Sequence, residues 1–238
     1  MSGAGARTPP GPAGHGGPSA KLCAVPNPRT TWVPLLLFVL ITWQVMDHGP
    51  LLRADRWVSA GLLHPDRFSE VLSDLGNVQV AVPVLLVAAG WAAWRGRRDG
   101  AVRWWTVPLA ALVTMAVLPV LLVPLKEWIA RPGTSVMPPG TGYFPSGHTA
   151  TALLAYGGAV VVLRPWLGTA PARRRAVAGC AVLVLAVSYG LVRRGYHWPL
   201  DVVAAWCLGL VLLAPLAVLS RSTRRSSSGT ASPRSGPS

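Results

Sequence analysis

The 238-residue sequence predicts an all-α fold, a bundle of six membrane-spanning helices, and three observations carry that prediction. Half of the residues (51%) are hydrophobic and the mean hydropathy is +0.43. The apolar residues gather into six runs that approach the roughly 20 residues needed to cross about 30 Å of hydrocarbon. The 22 Lys and Arg, against only eight Asp and Glu, fall in short clusters between those runs. A net charge of +14 would otherwise suggest nucleic acid, but this distribution is the one expected at membrane surfaces, so no nucleic-acid partner is predicted.

In order, the runs are Thr31 to Met46, Leu75 to Trp94, Trp104 to Leu125, Gly147 to Leu167, Ala176 to Val192 and Trp198 to Leu219. The first and fifth are short and need flanking residues to complete a crossing. The second closes on Arg95, Arg97 and Arg98, and the third opens after Arg103. Arg164 and Arg173 to Arg175 separate the fourth run from the fifth, and Arg221 follows the sixth. Small residues recur four apart in the later runs, at Gly147, Thr151 and Ala155, at Ala186 and Gly190, and at Ala205 and Gly209, a spacing that lets helix backbones approach in lipid.

Placing the N-terminus in the cytoplasm puts fifteen Lys and Arg on the cytoplasmic side and seven on the other. The positive-inside rule therefore predicts that both termini are cytoplasmic in a multi-pass protein of the plasma membrane. Residues 1–29, rich in Gly, Pro and Ala, and residues 221–238, rich in Ser, read as disordered cytoplasmic tails around a domain at 30–220. The first tail lacks the compact charge, apolar core and cleavage site of a secretory signal. Cys23, Cys180 and Cys207 have no paired spacing, so neither a disulfide nor a cysteine metal site is expected. The outer loop from Asp47 to Asp74 carries five of the eight acids and the amphipathic stretch "DRWVSAGLLHPDRFSEVLSDLG", which suits either the membrane interface or a lid over the bundle.

Ionisable groups at the edge of a bundle are costly and call for a partner or a task. Three outward clusters stand out. In "PLKEWIARPGT", Lys126 and Arg131 lie at the end of run three, and the proline after Arg131 holds it in an extended or turn conformation. In "FPSGHTATA", Ser146 is a natural N-cap, so the N–H groups of Gly147, His148 and Thr149 offer an anion site, with His148 able to exchange a proton. In "LVRRGYHWPLDVVAAW", His197 and Asp201 are four apart, so the carboxylate can hold one imidazole nitrogen as N–H and leave the other as a base or nucleophile. Together these fit cleavage of a phosphate ester by an attacking imidazole, with cations on the phosphoryl oxygens and the second His protonating the departing oxygen. A zinc site fits worse, because a third strong ligand is missing and Lys and Arg would repel the ion. A transporter fits less well again, since no run carries ionisable groups at its middle.

These residues resemble the type 2 phosphatidic acid phosphatase superfamily of integral membrane lipid phosphatases, which shares its helical core with vanadium haloperoxidases. The similarity spans six runs and three motifs at the outer ends of spans three, four and six. Lys126 matches the leading Lys of motif one, Pro145-Ser146-Gly147-His148 matches motif two in full, and His197 and Asp201 match motif three. Two arginines are out of register. The Arg-Pro separated by six residues from the motif-one Lys falls on Gly133-Thr134, while Arg131-Pro132 comes two residues earlier, and the Ser-Arg of motif three falls on Gly190-Leu191.

The resemblance implies that His197 attacks phosphorus, Asp201 orients it, and His148 protonates the leaving oxygen and then activates water. It implies that Lys126, Ser146 and the Gly147 N–H hold the phosphoryl oxygens, with Arg131 and either Arg193 or Arg194 standing in for the missing arginines. It implies no metal and no other cofactor. The expected partners are the bilayer and a lipid phosphate or diphosphate within it, a polyprenyl diphosphate or a phosphatidate-type lipid used in building the cell envelope, cleaved at the extracytoplasmic face. The alternative is a pseudophosphatase that keeps the fold and binds phospholipid head groups without turnover.

Overall fold

The computed structural model describes residues 31–228, and every regular element among them is helical. Eight α-helices follow in order: α1 (Trp32–Met46), α2 (Leu51–Leu62), α3 (Arg67–Asp74), α4 (Val78–Arg98), α5 (Thr106–Ile129), α6 (Gly147–Leu163), α7 (Ala170–Arg193) and α8 (Pro199–Ser228). A 3-10 turn, Arg164–Trp166, extends α6. Helices α4, α5, α7 and α8 are long and apolar enough to cross a membrane, which makes the chain a multi-pass membrane protein. The six predicted runs correspond to α1 and to α4 through α8. Two of these are short: α1 has 15 residues and meets α2 at 90°, and α6 has 17.

α6 is the central helix and packs against α4, α5, α7 and α8. Its small residues explain how. A Cβ on Gly157 would lie 2.7 Å from Leu213 Cδ1 of α8, and one on Gly209 of α8 would lie 2.6 Å from Leu153 Cδ2 of α6. Each helix therefore receives a leucine of the other in a glycine notch, which is how close packing replaces the hydrophobic effect inside lipid. Gly209 belongs to the small-residue spacing read from the sequence, whereas Gly157 lies outside it. Prolines inside α4 (Pro83) and α5 (Pro119 and Pro124) are tolerated, as they are in membrane helices whose neighbours re-satisfy the freed carbonyls.

The loop from Asp47 to Asp74 folds into α2 and α3 and lies against the bundle, with α2 on α1, α7 and α8 and α3 on α7. Its polarity is inverted relative to an ordinary soluble helix. Asp55 and Ser59, one turn apart, are the buried residues of α2, while Trp57 is 80% exposed and Phe68 of α3 is 65% exposed. The loop is thus a lid whose inner face is polar and whose outer face carries the apolar side chains suited to a membrane interface.

α3 starts at a capping box. Asp66 accepts the Ser69 N–H at 2.7 Å, and the Ser69 hydroxyl lies 3.2 Å from the Asp66 N–H that donates to it. Asp66 also takes Arg193 Nε and Nη2 at 3.1 and 2.9 Å, which ties the start of α3 to the end of α7. The Ser69 N–H, then its side chain, then Arg193 hold the Asp66 carboxyl down at about 2. Because the folded value lies below the unfolded one, this contribution is complete above about pH 4 and is lost as the pH falls towards about 2. The difference in Tm between the parent and Asp66→Asn should accordingly be present at neutral pH and vanish over that interval.

At the C-terminus the helix overrides the composition. Residues 221–228, expected as the start of a disordered tail, are helical, because extending a nucleated helix adds a hydrogen bond for each residue fixed. The remainder of that tail and residues 1–29 lie outside the described residues.

Candidate active site

The ends of α5, α6 and α8, together with the α3–α4 junction, enclose a cavity of about 690 Å³. Lys126, Gly147, His148 and His197 line it, with Asp74, Asn77, Gln79 and Tyr143 around them. Lys126 reaches it from the last turn of α5, where its Nζ donates to the Gly142 carbonyl at 3.0 Å. Immediately beyond, Ala130 adopts the left-handed region (φ 48°), and the chain leaves the helix into the 131–146 loop.

That loop delivers Ser146 to α6. The Ser146 hydroxyl accepts the Thr149 N–H at 3.3 Å, and the Ser146 N–H donates to the Asp201 carbonyl at 3.0 Å, which joins the second motif to the third. Ser146 is fully buried, so its hydroxyl serves as the cap. Gly147 behaves differently from the packing glycines: a Cβ there would meet nothing within 4 Å. Nothing in the packed protein requires a glycine at 147, and the space beside it is cavity. An anion can approach the first turn of α6 there.

His148 and His197 face each other across the cavity with ring centroids 6.5 Å apart. His197 is buried, and its Nδ1 lies 3.2 Å from Asp201 Oδ2. The same oxygen accepts the Trp198 N–H at 3.1 Å, so the carboxylate is fixed by the turn that starts α8. With Nδ1–H on the carboxylate, Nε2 keeps its lone pair for whatever occupies the cavity.

The three candidate arginines are not on the cavity wall. Arg131 is buried and pairs through Nη1 with Asp201 and through Nη2 with Asp55 of the lid. Arg193 holds Asp66 and donates to the Tyr189 hydroxyl at 3.1 Å. Arg194 donates to the Tyr196 hydroxyl at 2.9 Å and lies 3.8 Å from Glu70. Where the sequence reading expects them on a phosphate, the three guanidinium groups here lie against carboxylates contributed by the folded lid and by α8.

The positions where the resemblance puts arginines have been taken over by packing. A Cβ on Gly133 would stand 2.8 Å from the Tyr143 ring. One on Gly190 would stand 2.7 Å from both the Ser69 carbonyl oxygen and the Ser73 nitrogen, and Leu191 is wholly buried in the core. The lid lies where a serine and an arginine would have to pass. Gly190→Ser should lower stability by about 1–3 kcal/mol, because the atoms it meets are backbone and cannot rotate away. Thermal unfolding in detergent would read this as a fall in Tm of roughly 2–4 °C per kcal/mol.

Asp55, Asp74, Asn77, Gln79 and Tyr143 are site or near-site residues that the motifs do not flag. The only signal for the first two is the concentration of acids between Asp47 and Asp74.

Residues 108–225 match the family model described as the PAP2 superfamily. The fold is similar to the crystal structure of a transmembrane PAP2 type phosphatidylglycerolphosphate phosphatase from Bacillus subtilis, with a TM-score of 0.64 and 20% identity over 82% of this chain and 96% of that one. No curated protein matches the chain. The matched segment takes in most of α5, the whole of α6 and α7, and most of α8, hence Lys126, the capped start of α6 and the His197–Asp201 pair, and the chain belongs to the PAP2 superfamily.

Proposed function

We propose that this chain is an integral membrane lipid phosphatase that cleaves a lipid phosphomonoester or diphosphate through a phosphohistidine. The observation that carries the reading is the pairing of His197 Nδ1 with Asp201 in a cavity that also holds His148 and Lys126. His197 Nε2 attacks phosphorus, the bond from phosphorus to the leaving oxygen breaks, and His148 supplies that oxygen's proton. A water molecule then gives its proton to His148 and attacks the phosphohistidine, which breaks the P–N bond and releases phosphate. Lys126 Nζ and the N–H groups at the start of α6 bear on the phosphoryl oxygens. No step needs a metal.

In this reading α1 and α6 complete a set of six spans, both termini are cytoplasmic, and the cavity opens at the extracytoplasmic face of the plasma membrane. A polyprenyl diphosphate and a phosphatidate-type lipid both suit the chemistry.

One observation favours a second reading. Arg131, Arg193 and Arg194 are all engaged away from the cavity, which suits a pseudophosphatase that binds head groups without turnover. Phosphate release by the detergent-purified protein separates the two. The phosphatase should release phosphate from phosphatidate, phosphatidylglycerol phosphate or a polyprenyl diphosphate, equally with and without chelator. No release from any of them, with retained binding to vesicles containing phosphatidate, would establish the pseudophosphatase.

A further inference from the structure

Asp55 belongs to no motif, yet its side chain is fully buried, on a helix of the lid. Its two oxygens have different partners. Oδ1 accepts the Leu200 N–H at 2.8 Å in the first turn of α8, and Oδ2 takes Arg131 Nη2. The other end of the Arg131 fork is on Asp201 Oδ1, which leaves Asp201 Oδ2 for His197. An unbroken buried chain of charge-assisted contacts thus runs from α2 through the loop after α5 to α8 and the imidazole.

The charges in this chain explain why Asp55 is needed. Two carboxylates share one guanidinium, so the set carries one surplus negative charge, beside His197, where the attacking imidazole becomes positive. A guanidinium is a rigid planar fork, and one held at both ends cannot turn without breaking an ion pair. Held at one end only, it would be free to tilt and to carry the Asp201 carboxylate with it.

We propose that Asp55 is a positioning residue: through Arg131 it fixes the angle of the Asp201 carboxylate and thereby the aim of His197 Nε2 into the cavity. The inference rests on the reading of His197 as the nucleophile. It also makes the seating of α2 on the bundle a condition for turnover, since the lid supplies the last member of the chain.

The test is a cycle of Asp55→Asn, Arg131→Gln and the double variant in the full chain, assayed for phosphate release. Asp55→Asn should lower kcat roughly tenfold or more and leave KM within about twofold, because Asp55 is not part of the cavity wall. Arg131→Gln strands two neighbouring carboxylates and should cost more. Adding Asp55→Asn to it removes one of those like charges, so the double variant should be faster than Arg131→Gln alone. An Asp55 that merely caps α8 through Leu200 would slow both backgrounds by the same factor, and that result would overturn the proposal. So would a parent-like kcat in Asp55→Asn. Should Asp55→Asn fail to fold because it strands the guanidinium, the double variant still decides, since one no faster than Arg131→Gln overturns the proposal.

A second readout needs no turnover. The low-field proton resonance of His197 Nδ1–H, assigned by its loss in His197→Ala, should move in Asp55→Asn and stay in place in Asp66→Asn, which loosens the lid elsewhere. An unmoved resonance in Asp55→Asn overturns the positioning role. Absence of phosphate release by the parent overturns the functional reading instead, so the two failures are distinguishable.

Discussion

His197→Ala should abolish turnover, with phosphate release falling by at least about four orders of magnitude, because removal of the nucleophile leaves only binding and charge stabilisation. The loss should lie in kcat. Lys126 and the start of α6 are untouched by the change, so binding of a lipid phosphate should persist. A trapping experiment makes the prediction chemical as well as kinetic. Phosphohistidine survives base and is lost in acid, so the parent quenched in base during turnover should carry protein-bound phosphate, and His197→Ala should carry none. His148→Ala should slow both halves of the reaction, since the same imidazole gives a proton in the first and takes one in the second. Activity of His197→Ala close to the parent's would sink the mechanism, whatever the substrate proves to be.

The parts of this arrangement legible in the sequence are those written within one segment. Asp201 is one helical turn from His197, and Ser146 sits at the boundary where a polar loop meets an apolar run, so spacing alone brings each set of groups together. The six apolar runs fall on helices for the same reason, although residues 221–228 show that polar composition does not end a helix already under way. Contacts that depend on how segments pack were not legible. Asp55 reaches Arg131 across 76 residues of sequence, and Arg193 reaches Asp66 across 127. Judged by reach alone, three arginines near the motifs can all touch a phosphate; the folded lid supplies closer carboxylates. Gly133 and Gly190 read as lost arginine and serine positions, whereas in the fold they are sites of close approach, Gly133 to the Tyr143 ring and Gly190 to the backbone of α3.

Lys126→Met should cost about three orders of magnitude in kcat/KM, and the displaced arginines are the reason the loss should be so large. In a site clamped by several guanidinium groups, removal of one cation leaves others to bear the phosphoryl charge. Here Lys126 is the only Lys or Arg on the cavity wall among the described residues. A unit charge about 4 Å from a developing phosphoryl oxygen is worth about 4 kcal/mol at an effective dielectric of 20, and about 1.4 kcal/mol makes a factor of ten in rate. Methionine keeps most of the apolar arm and removes the charge, so the change isolates electrostatics from packing. Lys126→Arg should recover only part of the activity, since its guanidinium is wider than the ammonium that now donates to the Gly142 carbonyl. Steady-state kinetics on the lipid that the parent cleaves fastest would check both variants. A loss of tenfold or less in Lys126→Met would mean that the N–H groups at the start of α6 hold the phosphoryl charge on their own. A loss near a thousandfold would mean that one lysine does the work the family's arginines do at positions this chain has given over to packing.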